Sequence, residues 1–126
     1  MARFLWVCAA GAAGTGIRYL VALAAARLAG SGFPWGTLAV NVVGCFLMSI
    51  VAVAGARAII APGTRLVLAT GFMGGLTTYS AFNWETIALA REGAWSLGGL
   101  NAALTLVACM ASGLLGLALA RAVFGD

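Results

Sequence analysis

Gly71-Phe72-Met73-Gly74-Gly75-Leu76-Thr77-Thr78-Tyr79-Ser80-Ala81-Phe82-Asn83-Trp84-Glu85 sets a glycine pair, several hydroxyls and two spaced aromatic rings in the middle of an apolar stretch. Hydrocarbon cannot satisfy a free N–H, C=O or hydroxyl, and each one left unpaired there costs several kcal/mol. A helix break at this point therefore has to line a cavity, hold an ion or pack against protein. The segment reads as a site placed inside a membrane span.

The rest of the chain supplies the membrane. Of 126 residues, 63% are hydrophobic and only 8% charged, with a mean hydropathy of +1.08, which leaves too little polar surface to cover a soluble globule. An all-α integral membrane protein is expected, built as one domain over 1–126 with four spans. The first runs from about Phe4 to Leu28, where Gly30-Ser31-Gly32-Phe33-Pro34 stops it, because proline cannot continue a helix and biases its predecessor to extended geometry. The second starts near Gly36 or Thr37 and ends between Gly55 and Ile60, before Pro62-Gly63-Thr64-Arg65. The third, broken within the quoted run, covers about Leu66 to Ala90, and the fourth about Leu97 to Val123. Arg3 before an apolar run resembles a secretory leader, but the apolar character continues to Leu28, as in a retained span. Cys8, Cys45 and Cys109 are far apart, lack metal or redox spacing, and read as small hydrophobes.

All seven cations are arginines. Four spans put Arg3, Arg57, Arg65 and Arg121 on one side and Arg27 and Arg91 on the other, with Arg18 inside the first helix. So weak a bias determines orientation poorly, and a chain that inserts both ways round can assemble as an antiparallel pair; a single orientation, N-terminus cytoplasmic, fits the charges equally well. Small residues that let helix backbones approach recur at four-residue spacing: Ala108, Ser112, Gly116 and Ala120 on the last helix, Gly71 and Gly75, and Ala9/Ala13, Ala10/Gly14 and Ala12/Gly16 on the first. Each pair also suits packing within one subunit.

Among polar groups in the spans, Arg18, Asn41 and Glu85 stand out, since intramembrane polar residues default to functional roles. The alternatives are snorkelling for Arg18, interhelical hydrogen bonding for Asn41 and an interfacial carboxylate for Glu85. With no His or Lys and no nucleophile–base or metal-ligand spacing, enzyme chemistry has no seat.

The quoted run, together with Gly36-Thr37-Leu38-Ala39-Val40-Asn41-Val42-Val43-Gly44 after Pro34 and the stretch from Gly11 through Arg18-Tyr19, resembles the CrcB/Fluc family of fluoride ion channels. The resemblance covers essentially the whole chain, and the third-helix motif is its most specific part. It implies a dual-topology antiparallel homodimer with two narrow fluoride pores and a central sodium ion at the third-helix breaks. It further implies a bacterial inner membrane and export that lowers cytoplasmic fluoride. The implied partners are fluoride, lipid and a second copy, with no nucleic acid.

Fluoride is small and strongly hydrated, so its pore must replace water with hydrogen-bond donors. Asn41 offers an amide, Thr78, Ser80 and Ser112 offer hydroxyls, and Arg18 is suited to anion entry or to fixing helix ends. By resemblance, Tyr79 and Phe82 occupy the two ring positions of the pore, and Gly74 and Thr77 those whose carbonyls hold sodium. Where Tyr79, Ala81 and Asn83 stand, the family usually has Phe, Thr and Ser. A small multidrug-type proton-coupled exporter has similar size and topology, but it needs a carboxylate in a first helix that here carries only Arg18 at its middle. A membrane scaffold would need no broken third helix.

Overall fold

The computed structural model describes residues 1–125, and among them it is helical without strands. Helix α1 spans Ala2–Ala29, α2 Trp35–Ala56 and α6 Trp95–Phe124, and these three are long and apolar enough to cross a membrane. Even the shortest, α2 with 22 residues, reaches about 33 Å at roughly 1.5 Å per residue, against a hydrocarbon core of about 30 Å. The stretch between α2 and α6 is segmented: α3 Pro62–Leu66, a π-helical segment Val67–Met73, α4 Gly74–Leu76 and α5 Tyr79–Arg91. The expected third span is therefore no continuous helix. The expected break is there, at Thr77 and Thr78.

Element ends follow local chemistry. Gly30 takes φ 79° after α1, and Gly93 takes φ 82° in the tight turn joining α5 to α6, a conformation that favours glycine. Pro62 begins a helix instead of merely ending a turn, because its missing N–H and preset φ suit the first helical position. The third segment accordingly starts four residues earlier than Leu66. The π-helical turns had no counterpart in the sequence reading.

That segment lies directly on α1. A Cβ at Gly71 would sit 2.8 Å from the Val7 carbonyl oxygen, and one at Gly14 or Gly75 would run into the backbone of Phe72 or Gly11. Backbone meets backbone here, which only glycine permits. Beside this contact, Val40, Met73 and Leu76 form the buried core, flanked by Val21, Leu47 and Phe72. On the other side α6 packs along α2, with Ser112, Gly116 and Ala120 buried. The Ser112 hydroxyl donates to the Val42 carbonyl at 2.7 Å, and Gly116 lies against the Phe46 carbonyl. The four-residue repeat of α6 and the Gly71/Gly75 pair thus serve packing within the subunit, whereas Ala9, Ala13, Ala12 and Gly16 on α1 stay exposed.

Candidate functional site

The break is two extended residues. Thr77 (φ −86°, ψ 155°) leaves α4 and Thr78 (φ −153°, ψ 119°) caps α5, its hydroxyl accepting from the Ala81 N–H at 3.2 Å. Threonine suits this position because its side-chain oxygen replaces the carbonyl that the first turn lacks. The remaining backbone need at Thr78 is met from α2: Asn41 Nδ2 donates to the Thr78 carbonyl at 3.0 Å, and the Thr78 N–H donates to Asn41 Oδ1 at 2.8 Å. Asn41 and Thr78 are both buried. One amide side chain therefore holds the break open in a place where water cannot.

These bonds free two carbonyls. In a continuous helix the Thr78 N–H would bond the Gly74 carbonyl and the Ala81 N–H the Thr77 carbonyl. Asn41 Oδ1 and Thr78 Oγ1 capture those two donors instead. Gly74 is exposed on the subunit surface and Thr77 half-buried, with the Thr77 hydroxyl returned to the Met73 carbonyl at 2.9 Å. Two carbonyl oxygens that lose their helical donors in this way suit a hard cation.

An open groove of about 860 Å³ runs beside the break between α2, α5 and α6. Asn41, Thr78, Tyr79, Phe82 and Thr105 are among its walls, and among the described residues no charged one lines it. An amide carries two N–H bonds, and Asn41 commits one to Thr78, which leaves the second for the groove. The Tyr79 and Phe82 rings are 5.5 Å apart and tilted by 57°, so they share contact while offering separate edges. Ring edges carry the positive part of the aromatic quadrupole. Tyr79 is 78% exposed. The Ser80 hydroxyl, also exposed, lies 3.2 Å from that of Thr78 but outside the groove wall. The groove thus presents neutral donors without a fixed charge.

Other expected site residues lie elsewhere. Ser112 faces α2 and its hydroxyl is spent on Val42, outside the groove. Arg18 is half-buried on α1, on the same helical face as Gly14, which packs on the break segment, and Ala22, which packs on Gly36. Glu85 accepts from the Thr37 hydroxyl at 2.8 Å through Oε1, and its Oε2 is buried without a hydrogen-bond partner among the described residues. Thr37 and Glu85 border a separate cavity of about 290 Å³ between α1, α2 and α5, which also includes Glu92; Arg18 does not line it.

Three polar residues escaped the sequence reading. Asn101 on α6 is 1% exposed and donates to the Thr86 hydroxyl at 2.8 Å; Thr86 donates in turn to the Phe82 carbonyl at 2.7 Å. Thr105 donates to Asn101 Oδ1 at 3.4 Å. The chain ties α6 to the turn of α5 that carries Phe82. An Asn and a Thr four residues apart in an apolar helix were the available signal.

A family-wide sequence model described as "CrcB-like protein, Camphor Resistance (CrcB)" matches residues 5–117. The fluoride-specific ion channel FluC of Sorangium cellulosum (strain So ce56) is 46% identical over 122 residues, which is 96% of this chain and 96% of that protein. The protein of the same name from Rhizobium johnstonii (strain DSM 114642 / LMG 32736 / 3841) is 46% identical over 124 residues, 98% of this chain and 99% of its own. That from Anaeromyxobacter dehalogenans (strain 2CP-1 / ATCC BAA-258) is 45% identical over 113 residues, 89% and 90% respectively.

Proposed function

The chain belongs to the CrcB family, and on that premise we propose that it is a fluoride-selective ion channel, letting fluoride leave the cytoplasm passively and so conferring fluoride resistance. It is a transport protein and no enzyme. The observation that carries the reading is the Asn41 clamp on Thr78, which opens a buried helix break beside a groove of neutral donors. Dehydrating fluoride demands hydrogen-bond donors at close range, and a spare amide N–H, two hydroxyls and two ring edges supply them. Absence of a fixed cation from the groove suits conduction, because an ion bound too tightly does not leave.

In this reading the segment Pro62–Arg91 is the third of four crossings, and two copies pair antiparallel, each inserted in either orientation. Support comes from the weak arginine bias, the 78% exposure of Tyr79 and a groove that stands open along one side. Sodium fits the Gly74 and Thr77 carbonyls only as a shared ion, since two oxygens from one chain are too few for a hard cation and a second copy brings two more. When bound, it would neutralise the facing carbonyl dipoles where the two breaks meet. A bacterial inner membrane is the expected location.

Proton-coupled export is not favoured: the α1 sequence carries no acidic residue, and Glu85 borders the smaller cavity, away from the groove. Proteoliposomes loaded with potassium fluoride should release fluoride to an electrode only when valinomycin supplies counter-current. Release that instead requires a protonophore, or no release at all, refutes the proposal.

A further inference from the structure

Cys45 on α2 and Cys109 on α6 lie together. Both line the groove and both are half-buried, on the wall where α6 packs along α2 with Ser112 bonded to Val42. Sequence spacing hides the pair because the two positions come from different helices. The space beside them is kept clear by Gly113, one turn beyond Cys109, where a Cβ would stand 3.9 Å from the Cys45 carbonyl oxygen and 3.6 Å from the Ser49 hydroxyl. Nearby walls are apolar: Met48, Leu106 and Met110.

We propose that Cys45 and Cys109 form a two-thiol site for a thiophilic metalloid, trivalent arsenic, and that its occupation closes the groove. Soft sulfur ligands select soft centres, and among the described residues no cluster of three or more His, Cys, Asp or Glu side chains exists to complete a tetrahedral zinc site. An organoarsenic(III) centre needs only two thiols. With phenylarsine oxide, two As–S bonds form and two S–H bonds break; the oxide oxygen leaves with both protons as water, and arsenic stays trivalent. No oxidant is required. The adduct would stand on the α2–α6 wall of the groove that Asn41, Thr78 and Phe82 also line, and its phenyl group would fill the apolar side.

The test uses full-length protein with the exposed α1 thiol removed by Cys8→Ser. After phenylarsine oxide and a wash with excess free cysteine, intact-mass spectrometry should show one phenylarsenic group per chain, released by dithiothreitol. Adding Cys45→Ser or Cys109→Ser should abolish the retained group, because single-thiol adducts exchange off. An unmodified Cys8→Ser chain, or retention in either single-thiol variant, overturns the site. Closure of the groove rests on the channel reading and is read separately. Fluoride efflux from Cys8→Ser proteoliposomes should be lost on treatment and return with dithiothreitol. A fully modified protein that still conducts at the untreated rate overturns closure and puts the ion path elsewhere, while a preparation that never conducts contradicts the channel reading itself.

Discussion

Replacing Asn41 by Ala removes the acceptor for the Thr78 N–H and the donor for the Thr78 carbonyl in one step. Thr78 is only 9% exposed, so water cannot take either place. A buried group left unsatisfied costs about 1–3 kcal/mol in aqueous proteins. Interhelical hydrogen bonds in bilayers average about 0.6 kcal/mol and reach about 1.7, since the unfolded chain also finds partners there. Two lost bonds in a rigid break should therefore cost about 2–3 kcal/mol, toward the upper bilayer figure for each. The chain can escape only by closing the break into continuous helix, which would reclaim the Gly74 and Thr77 carbonyls. Either outcome removes a donor from the groove. We expect Asn41→Ala to melt clearly lower in detergent, followed by intrinsic tryptophan fluorescence, and to lose fluoride efflux in liposomes. Asn41→Asp keeps the acceptor toward Thr78 but sets a carboxylate against its carbonyl and against the anion, so efflux should also vanish. An unchanged melting temperature in Asn41→Ala refutes the clamp even if flux falls. Unchanged flux in both variants refutes the place of Asn41 on the path.

Tyr79→Phe should keep or raise fluoride efflux, since ring edges persist and an acceptor oxygen is lost, whereas Phe82→Ile should lower it severely; equal rates in the two would demote the rings to packing. Gly14→Ala drives a methyl into the Phe72 backbone, and overpacking of about 1–3 kcal/mol should appear as a lower melting temperature and a broadened size-exclusion peak. Glu85→Gln keeps an acceptor for the Thr37 hydroxyl while removing a charge whose other oxygen has no partner, so the variant should fold at least as stably and conduct without a protonophore. A cysteine added at the C-terminus of protein lacking Cys8, Cys45 and Cys109 should label partly from each face of the membrane in cells; labelling from one face alone contradicts antiparallel pairing.

The helical spans and the site of the break could be read from the chain because their causes are local. Proline, glycine and threonine act through their own dihedrals and donors, and Thr78 caps a helix wherever it precedes one. Asn41 was legible as an amide in a membrane helix, yet its grip on Thr78 depends on a residue 37 positions away. Ser112 looked like a pore hydroxyl, but which face of α6 meets α2 is decided by Gly116 against Phe46, and that contact turns Ser112 inward. The same rotation buries Asn101, whose role was invisible without Thr86 opposite it. Pro62 reads in the sequence as part of a turn, because proline marks turns as well as helix starts, and only the chain that follows tells them apart.

The two extended residues at the break also act as a phase shifter. Met73, Leu76, Tyr79 and Phe82 recur every three residues, and an unbroken helix would keep neighbours in that series on one side. Met73 and Leu76 are 3% and 4% exposed, as that stripe requires, yet Tyr79 is 78% exposed. Thr77 and Thr78 advance the chain without helical rotation, so the series is cut into an inward half and an outward half. One periodic pattern thereby serves two surfaces: its first two members seal the subunit, and its last two are delivered to the groove.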